Sequence, residues 1–157
     1  MMDEDFMDEA IRLARDNAAQ GGRPFSAVLV RDGRIIARAV NRMDADNDPT
    51  AHAEMLALRA AGATLGDTRL DGCTVFASGQ PCPMCFAAIR IAGIAWILYG
   101  YSNENGAPYG LSTTELASEL SQPLESQTWA SIRQMAPEDA DRPKLYQSWA
   151  EQDAREG

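Results

Sequence analysis

The sequence predicts an α/β fold, a three-layer α/β/α sandwich built on a mixed five-stranded sheet. Three observations lead to it: an amphipathic helix opens the chain, a β-hairpin pattern follows, and a strand-helix-strand pattern comes next. The 157 residues are enough for one sizeable hydrophobic core. We therefore expect 1–157 to form a single domain.

The first half of the chain provides two helices and the hairpin. Apolar residues recur at helical spacing over 4–20 after an acidic first turn, and a Gly-Gly pair ends the pattern. Short apolar runs at 27–30 and 34–40 flank an Asp-Gly dipeptide, which is typical of a two-residue hairpin turn. The polar stretch 41–48 is a predicted loop. An Asp-Pro-Thr sequence then predicts a helix over 51–61 that ends at a glycine.

The second half begins with a strand-helix-strand unit. A buried strand at 73–77 leads through a Pro-Cys pair into a helix that ends near 92, and a second strand follows at 94–99. Such a crossover makes its two strands parallel. A loop rich in Gly and Asn covers 100–110. The remaining predicted elements are a helix over 113–120, a strand around 128–132 and a helix over 143–152.

Composition and charge indicate where the protein is located and which partners they disfavour. No apolar stretch is long enough to span a bilayer, and the acidic N-terminus lacks the pattern of an export signal, so we expect a cytoplasmic protein. The net charge of −9 opposes binding to nucleic acid, because polynucleotides attract Lys and Arg. Three cysteines, two of them in a Cys-x-x-Cys pair, indicate metal or redox chemistry rather than a disulfide framework.

Two short motifs carry the chemistry, a His-x-Glu at 52–54 and a Pro-Cys-x-x-Cys at 81–85. Zinc prefers imidazole and thiolate, so His52, Cys82 and Cys85 are the candidate ligands of one Zn²⁺ per chain. Three protein ligands leave a fourth position for water, as in catalytic zinc sites. Cys73 is an alternative fourth ligand, but its place in a core strand favours a buried apolar role.

Glu54 is the candidate catalytic residue, because zinc acidifies bound water and a nearby carboxylate can then carry its proton. Both motifs lie at predicted helix N-termini, where the helix dipole favours thiolate and negative charge. Taken alone, Glu54 is more typical of an ordinary acid in a first helical turn. The Cys-x-x-Cys pair alone also fits a redox pair or half of a structural zinc site. The combination fits the pattern of zinc nucleobase deaminases.

The stretches 47–54 and 81–85 make the chain resemble the cytidine deaminase-like superfamily. Within it, the segment 21–28 followed by Asn41 is similar to the bacterial guanine deaminase branch, and less so to tRNA adenosine deaminases. This resemblance implies that Phe25, Asn41 and Ala53 contact the substrate. It also implies a homodimer, in which the C-terminal segment 111–157 folds over the active site. A core aromatic and a turn asparagine are the alternative interpretations of Phe25 and Asn41.

The resemblance implies hydrolytic removal of an exocyclic amine from a small free nucleobase or related heterocycle, with guanine converted to xanthine as the leading case. The sequence differs from its relatives at two places, and both differences concern the substrate rather than the reaction. Gln80 stands where many relatives carry Glu, and the loop 102–106 differs from that of tRNA adenosine deaminases. The alternatives are a tRNA adenosine deaminase, a cytosine or nucleoside deaminase, and a non-catalytic zinc-stabilised interaction module.

Overall fold

A computed structural model describes residues 2–138, 140 and 143–156 of the chain. Two compact units divide it, one over 1–121 and the other over 122–157. The first unit contains the sheet and both sequence motifs.

The sheet of the first unit has the strand order β2-β1-β3-β4. β1 is antiparallel to both β2 and β3, whereas β3 and β4 are parallel, so the sheet is mixed as predicted. The strands are β1 Ser26–Arg31, β2 Arg34–Val40, β3 Thr74–Gly79 and β4 Trp96–Tyr101.

Local chemistry explains these pairings. β1 and β2 are joined by a two-residue turn in which Asp32 and Gly33 have φ values of 51° and 72°. Two positive φ angles match the twist of a hairpin, and Asp and Gly tolerate them well. β3 and β4 are separated by a helix, and such a crossover returns the chain in the parallel direction. The predicted hairpin and crossover are therefore both confirmed.

Helices pack on both faces of the sheet. On one face, Phe6 and Ala10 of the first helix pack against Val28 and Phe76. Alternate residues of the same strands pack on the other face against two further helices, in the larger core cluster. The helices of the first unit are α1 Asp3–Ala19, α2 Met43–Asp46, α3 Ala53–Leu65, α4 Pro83–Ile91, α5 Asn103–Gly106 and α6 Thr114–Leu120. The second unit contains α7 Lys144–Glu156.

Glu9 ties α1 to the sheet at the surface. Its carboxylate accepts hydrogen bonds from Arg12 on the same helix, at 2.8 Å, and from Arg38 on β2, at 3.0 Å. The hydrogen bond from Arg12 is the main reason why the pKa of Glu9 lies below its ordinary value, and Arg38 adds to the effect.

The predicted fifth strand is wrong, and the described residues form four strands. The segment around 128–132 has no regular structure, and Trp129 and Ile132 are exposed. A strand needs a neighbouring edge for its backbone hydrogen bonds, and no other strand occurs among the described residues of 122–157. The apolar residues around 128–132 are therefore not enough to form a strand.

The helix predicted over 51–61 has different bounds. It begins at Ala53, continues past Gly62 to Leu65, and ends where Gly66 takes a φ of 68°. Glycine adopts this left-handed conformation without strain, which makes Gly66 a suitable C-terminal stop. The two predicted loops contain the short helices α2 and α5. No helix in the described part of the chain is long and apolar enough to cross a membrane.

Candidate functional site

Two helix starts bring the sequence motifs together. His52 stands immediately before α3 and Cys82 immediately before α4, both with extended backbone, as N-terminal caps. Their carbonyl groups accept the first helical hydrogen bonds, from Leu56 at 3.0 Å and from Phe86 at 2.9 Å. Each cap side chain therefore lies beside the N–H groups of a first helical turn, which have no partner within the helix and where the helix dipole favours negative charge.

The three predicted metal donors form one group. The Nδ1 atom of His52 lies 3.5 Å from the Sγ of Cys82 and 3.5 Å from the Sγ of Cys85. All three donor atoms lie within 4.8 Å of one another, and the group includes neither Glu54 nor Cys73 among the described residues. Tetrahedral zinc with Zn–N and Zn–S distances of about 2.0 and 2.3 Å separates its nitrogen and sulfur ligands by about 3.5 Å. The donor set and its spacing thus fit Zn²⁺ with one position left for water.

The two thiols differ in acidity, because their mutual hydrogen bond raises the pKa of Cys85 and lowers that of Cys82. Hydrogen bonds from the Cys85 thiol, from His52 and from the backbone of Cys85 lower the pKa of Cys82 to about 4. The same contact with Cys82 raises the pKa of His52, despite partial burial of the ring. A thiolate is the form that binds zinc, so Cys82 is ionised and ready as a ligand at neutral pH.

Glu54 lies next to the donor group without belonging to it. Its side chain is almost completely buried, with 6% of the residue exposed. Burial raises the pKa of this carboxyl group, while a hydrogen bond with Cys85 acts in the opposite direction. A buried carboxylate with a raised pKa can accept and return a proton near neutral pH, as general acid-base catalysis requires.

A cavity of about 170 Å³ opens beside the donor group. Six of the seven predicted site residues line it, and Cys85 is buried without lining it. The lining residues among the predictions are Phe25, Asn41, His52, Ala53, Glu54 and Cys82.

Two of these residues have side chains suited to hold a flat ring. The Oδ1 atom of Asn41 accepts a hydrogen bond from the backbone N–H of Met43 at 3.0 Å, which orients the amide of a residue that is 6% exposed. The ring of Phe25 lies against Gly79, where a Cβ atom would come within 3.1 Å of Cε1. Gly79 therefore provides the space that the aromatic ring occupies.

Sequence patterns missed part of the cavity wall. Arg23 lines the cavity, as do Gln80 and the stretch 110–113. The Gln80 side chain accepts a hydrogen bond from the backbone of Asn103 at 2.9 Å, and the Asn103 side chain accepts one from the backbone of Thr113 at 3.1 Å. These two hydrogen bonds connect Gln80, just after β3, to the stretch 110–113 of the cavity wall. The signals in the sequence were the position of Gln80 beside the Pro-Cys motif, the place of Arg23 within the segment 21–28, and the expectation that 111–157 covers the site.

The comparisons with known proteins agree with this geometry. Residues 1–101 match the family described as the cytidine and deoxycytidylate deaminase zinc-binding region. The guanine deaminase of Bacillus subtilis is 40% identical over 129 residues, which cover 82% of this chain and 83% of that protein. An X-ray structure of guanine deaminase from the same organism superposes with a TM-score of 0.88 at 36% identity, covering 96% of this chain and 95% of that one. A tRNA-specific adenosine deaminase of Agrobacterium fabrum is 44% identical over 101 residues, which cover 64% of this chain and 66% of that protein.

Proposed function

Because the chain belongs to the family of the cytidine and deoxycytidylate deaminase zinc-binding region, we propose that it is a zinc-dependent hydrolytic deaminase that converts guanine to xanthine. One observation carries the proposal: a three-donor metal group with an open fourth position lies beside a buried carboxylate at a small cavity. Guanine is favoured over other bases because the match to guanine deaminase extends along nearly the whole chain, at 96% coverage.

In this proposal His52, Cys82 and Cys85 hold one Zn²⁺ per chain. The ion supplies Lewis acidity that makes water a nucleophile near neutral pH. The three residues hold the metal at the starts of two helices anchored in the core, which keeps the donor geometry rigid. Glu54 stays outside the ligand set and is free to move protons.

Glu54 performs two proton transfers. It takes a proton from the attacking water and gives it to the ring nitrogen beside the amine-bearing carbon. It then transfers the second proton to the departing amine, so that guanine and water yield xanthine and ammonia. Burial beside the metal donors supports this assignment, since a raised carboxyl pKa favours protonation of the group between the two transfers.

The substrate contacts of the proposal are Phe25, Asn41 and Ala53. The Asn41 amide offers a donor to the carbonyl or ring nitrogen of a base, because its oxygen is already bonded to Met43. Phe25 offers an aromatic face on which a flat heterocycle can stack. Ala53 offers backbone groups at the N-terminus of α3, beside the reacting centre.

An ammonia-release assay across the common bases tests the proposal. The zinc-loaded protein is incubated with guanine, adenine, cytosine and their nucleosides, and the product from guanine is identified as xanthine. We expect guanine to give a kcat/KM at least tenfold above every other compound. A higher value for another base would replace guanine, and no ammonia from any compound would refute the proposed activity.

Deamination of tRNA adenosine is the second candidate, favoured by the 44% identity to the Agrobacterium fabrum enzyme. The net charge of −9 opposes it, because a tRNA complex draws on basic residues. Titration of tRNA binding against salt separates the two candidates. A tRNA enzyme binds at low salt and weakens steeply as salt rises, whereas a free-base enzyme shows no binding.

The proposal also includes a homodimer in the cytoplasm. Exposed apolar side chains on α4 and β4 support a contact with a second copy, since large exposed apolar groups are typical of interfaces. They are Phe86, Ile91, Trp96 and Tyr99. Sedimentation equilibrium should give twice the 17.1 kDa chain mass. The single domain over 1–157 and the cover of the active site by 111–157 stay predictions.

A further inference from the structure

The side chain of Asn17, on the last turns of α1, joins two segments that line the catalytic cavity. Its Nδ2 atom donates to the backbone carbonyl of Arg23 at 2.7 Å and to that of Asn41 at 3.1 Å. An amide nitrogen carries two hydrogens, so one side chain satisfies both carbonyls at the same time. Asn17 does not itself line the cavity.

One of the two carbonyls belongs to Asn41, a proposed substrate contact, and the other to Arg23, two residues before Phe25. The Arg23 carbonyl also accepts a hydrogen bond from the backbone of Phe25 at 2.8 Å, so it lies in the turn that carries the aromatic ring. Asn41 is a cavity residue, and its backbone N–H donates to the Phe25 carbonyl at 3.0 Å. Asn17 therefore closes a small hydrogen-bond network that links the backbone of the Phe25 turn to the backbone of Asn41.

The neighbouring glycine provides the space for this arrangement. A Cβ atom at Gly22 would lie 2.6 Å from the Nδ2 atom of Asn17, which is too close for any real contact. The backbone N–H of Gly22 also donates to the Asn17 carbonyl at 2.9 Å. The glycine that ends the helical pattern thus brings the Asn17 amide against the chain that leads to Phe25.

We infer that Asn17 is a positioning residue for the substrate cavity: it fixes the backbone of the Phe25 turn relative to the backbone of Asn41. The inference rests on the proposed function, in which these two residues contact the base. Misplacement of a binding group by about 1 Å can reduce catalysis about a hundredfold. Asn17 lies outside the metal donor group, so its loss should weaken binding of the base more than the chemical step.

The test compares Asn17→Asp and Asn17→Ala with the wild-type protein. An aspartate at 17 loses both donors and places a carboxylate beside two carbonyl oxygens, and alanine removes the donors without adding charge. We expect KM for guanine to rise at least tenfold in both variants, with kcat per bound zinc within threefold of wild type. Gln20→Glu is the matched control, since it adds the same charge at the end of α1 from an exposed position. Its KM should stay within twofold.

Two readouts separate this inference from a merely structural role and from failure of the proposed function. A structural role would lower the melting temperature and the active fraction, but leave KM unchanged, and that result would overturn the inference. Calorimetric binding of guanine does not depend on turnover. If wild-type protein releases no ammonia but Asn17→Asp binds guanine at least tenfold more weakly, the proposed activity fails and the positioning role stands. Equal binding, or no binding to wild type, overturns the positioning role.

Discussion

In the proposed reaction, replacement of Glu54 by glutamine removes proton transfer and leaves the shape of the site nearly unchanged. Glutamine has the size of glutamate and fits the same buried position, but it cannot accept and return a proton at neutral pH. General acid-base catalysis contributes about 10² to 10⁴ in rate, and Glu54 serves two transfers in the proposed reaction. We therefore expect kcat to fall by at least about 10³, which is about 4 kcal/mol of activation free energy.

Two measurements distinguish this effect from damage to the metal site. Zinc content should stay at one ion per chain, because Glu54 lies outside the donor group. Burial raises the pKa of Glu54 in the folded protein, so the carboxylate destabilises the fold as pH rises through that value. Glutamine removes this cost, and the chelated variant should unfold at a temperature equal to or above that of chelated wild type at pH 8. Turnover within tenfold of wild type at full zinc occupancy would refute the role of Glu54.

Three further predictions concern the metal, the cavity wall and the surface. Cys85→Ser should lose most of its zinc in metal analysis, whereas Cys73→Ser, which changes a buried thiol outside the donor group, should keep one ion per chain. Gly79→Ala should displace the Phe25 ring and raise KM for guanine severalfold with zinc content unchanged. An unaltered KM would show that Phe25 does not contact the substrate. Glu9→Gln should lower the unfolding free energy at pH 7 by up to about 1 kcal/mol. Because the folded pKa of Glu9 is lowered, its stabilisation is lost as pH falls through that value, so in acid denaturation series the difference should disappear well below pH 4.

Local patterns predicted much of the fold and the metal group. The hairpin follows from the Asp-Gly turn and the parallel pair from one crossover, because each lies within one continuous stretch of the chain. The donor group could be predicted because His52 and Cys82 each stand at a recognisable helix start. The prediction of a strand around 128–132 was wrong because a strand also depends on a partner elsewhere in the chain.

The cavity wall was harder to predict than the metal group. Arg23 and Gln80 line it from segments that have no periodic pattern, and Thr113 is held there through a contact with Asn103. Asn17 contributes through backbone carbonyls of residues that follow it by 6 and 24 positions. Contacts of this kind depend on the path of loops in three dimensions, which side-chain types alone do not reveal.

The metal donors and the cavity wall come from different kinds of structure. His52, Cys82 and Cys85 are placed by helices anchored in the core, whereas Phe25, Asn41 and 110–113 are placed by connecting segments. Loops tolerate substitution better than packed helices do. A lineage built on this scaffold can therefore acquire a new substrate by exchanging loop residues while the reaction itself is inherited intact. Relatives named for a free base and for a tRNA nucleoside are the expected products of such divergence.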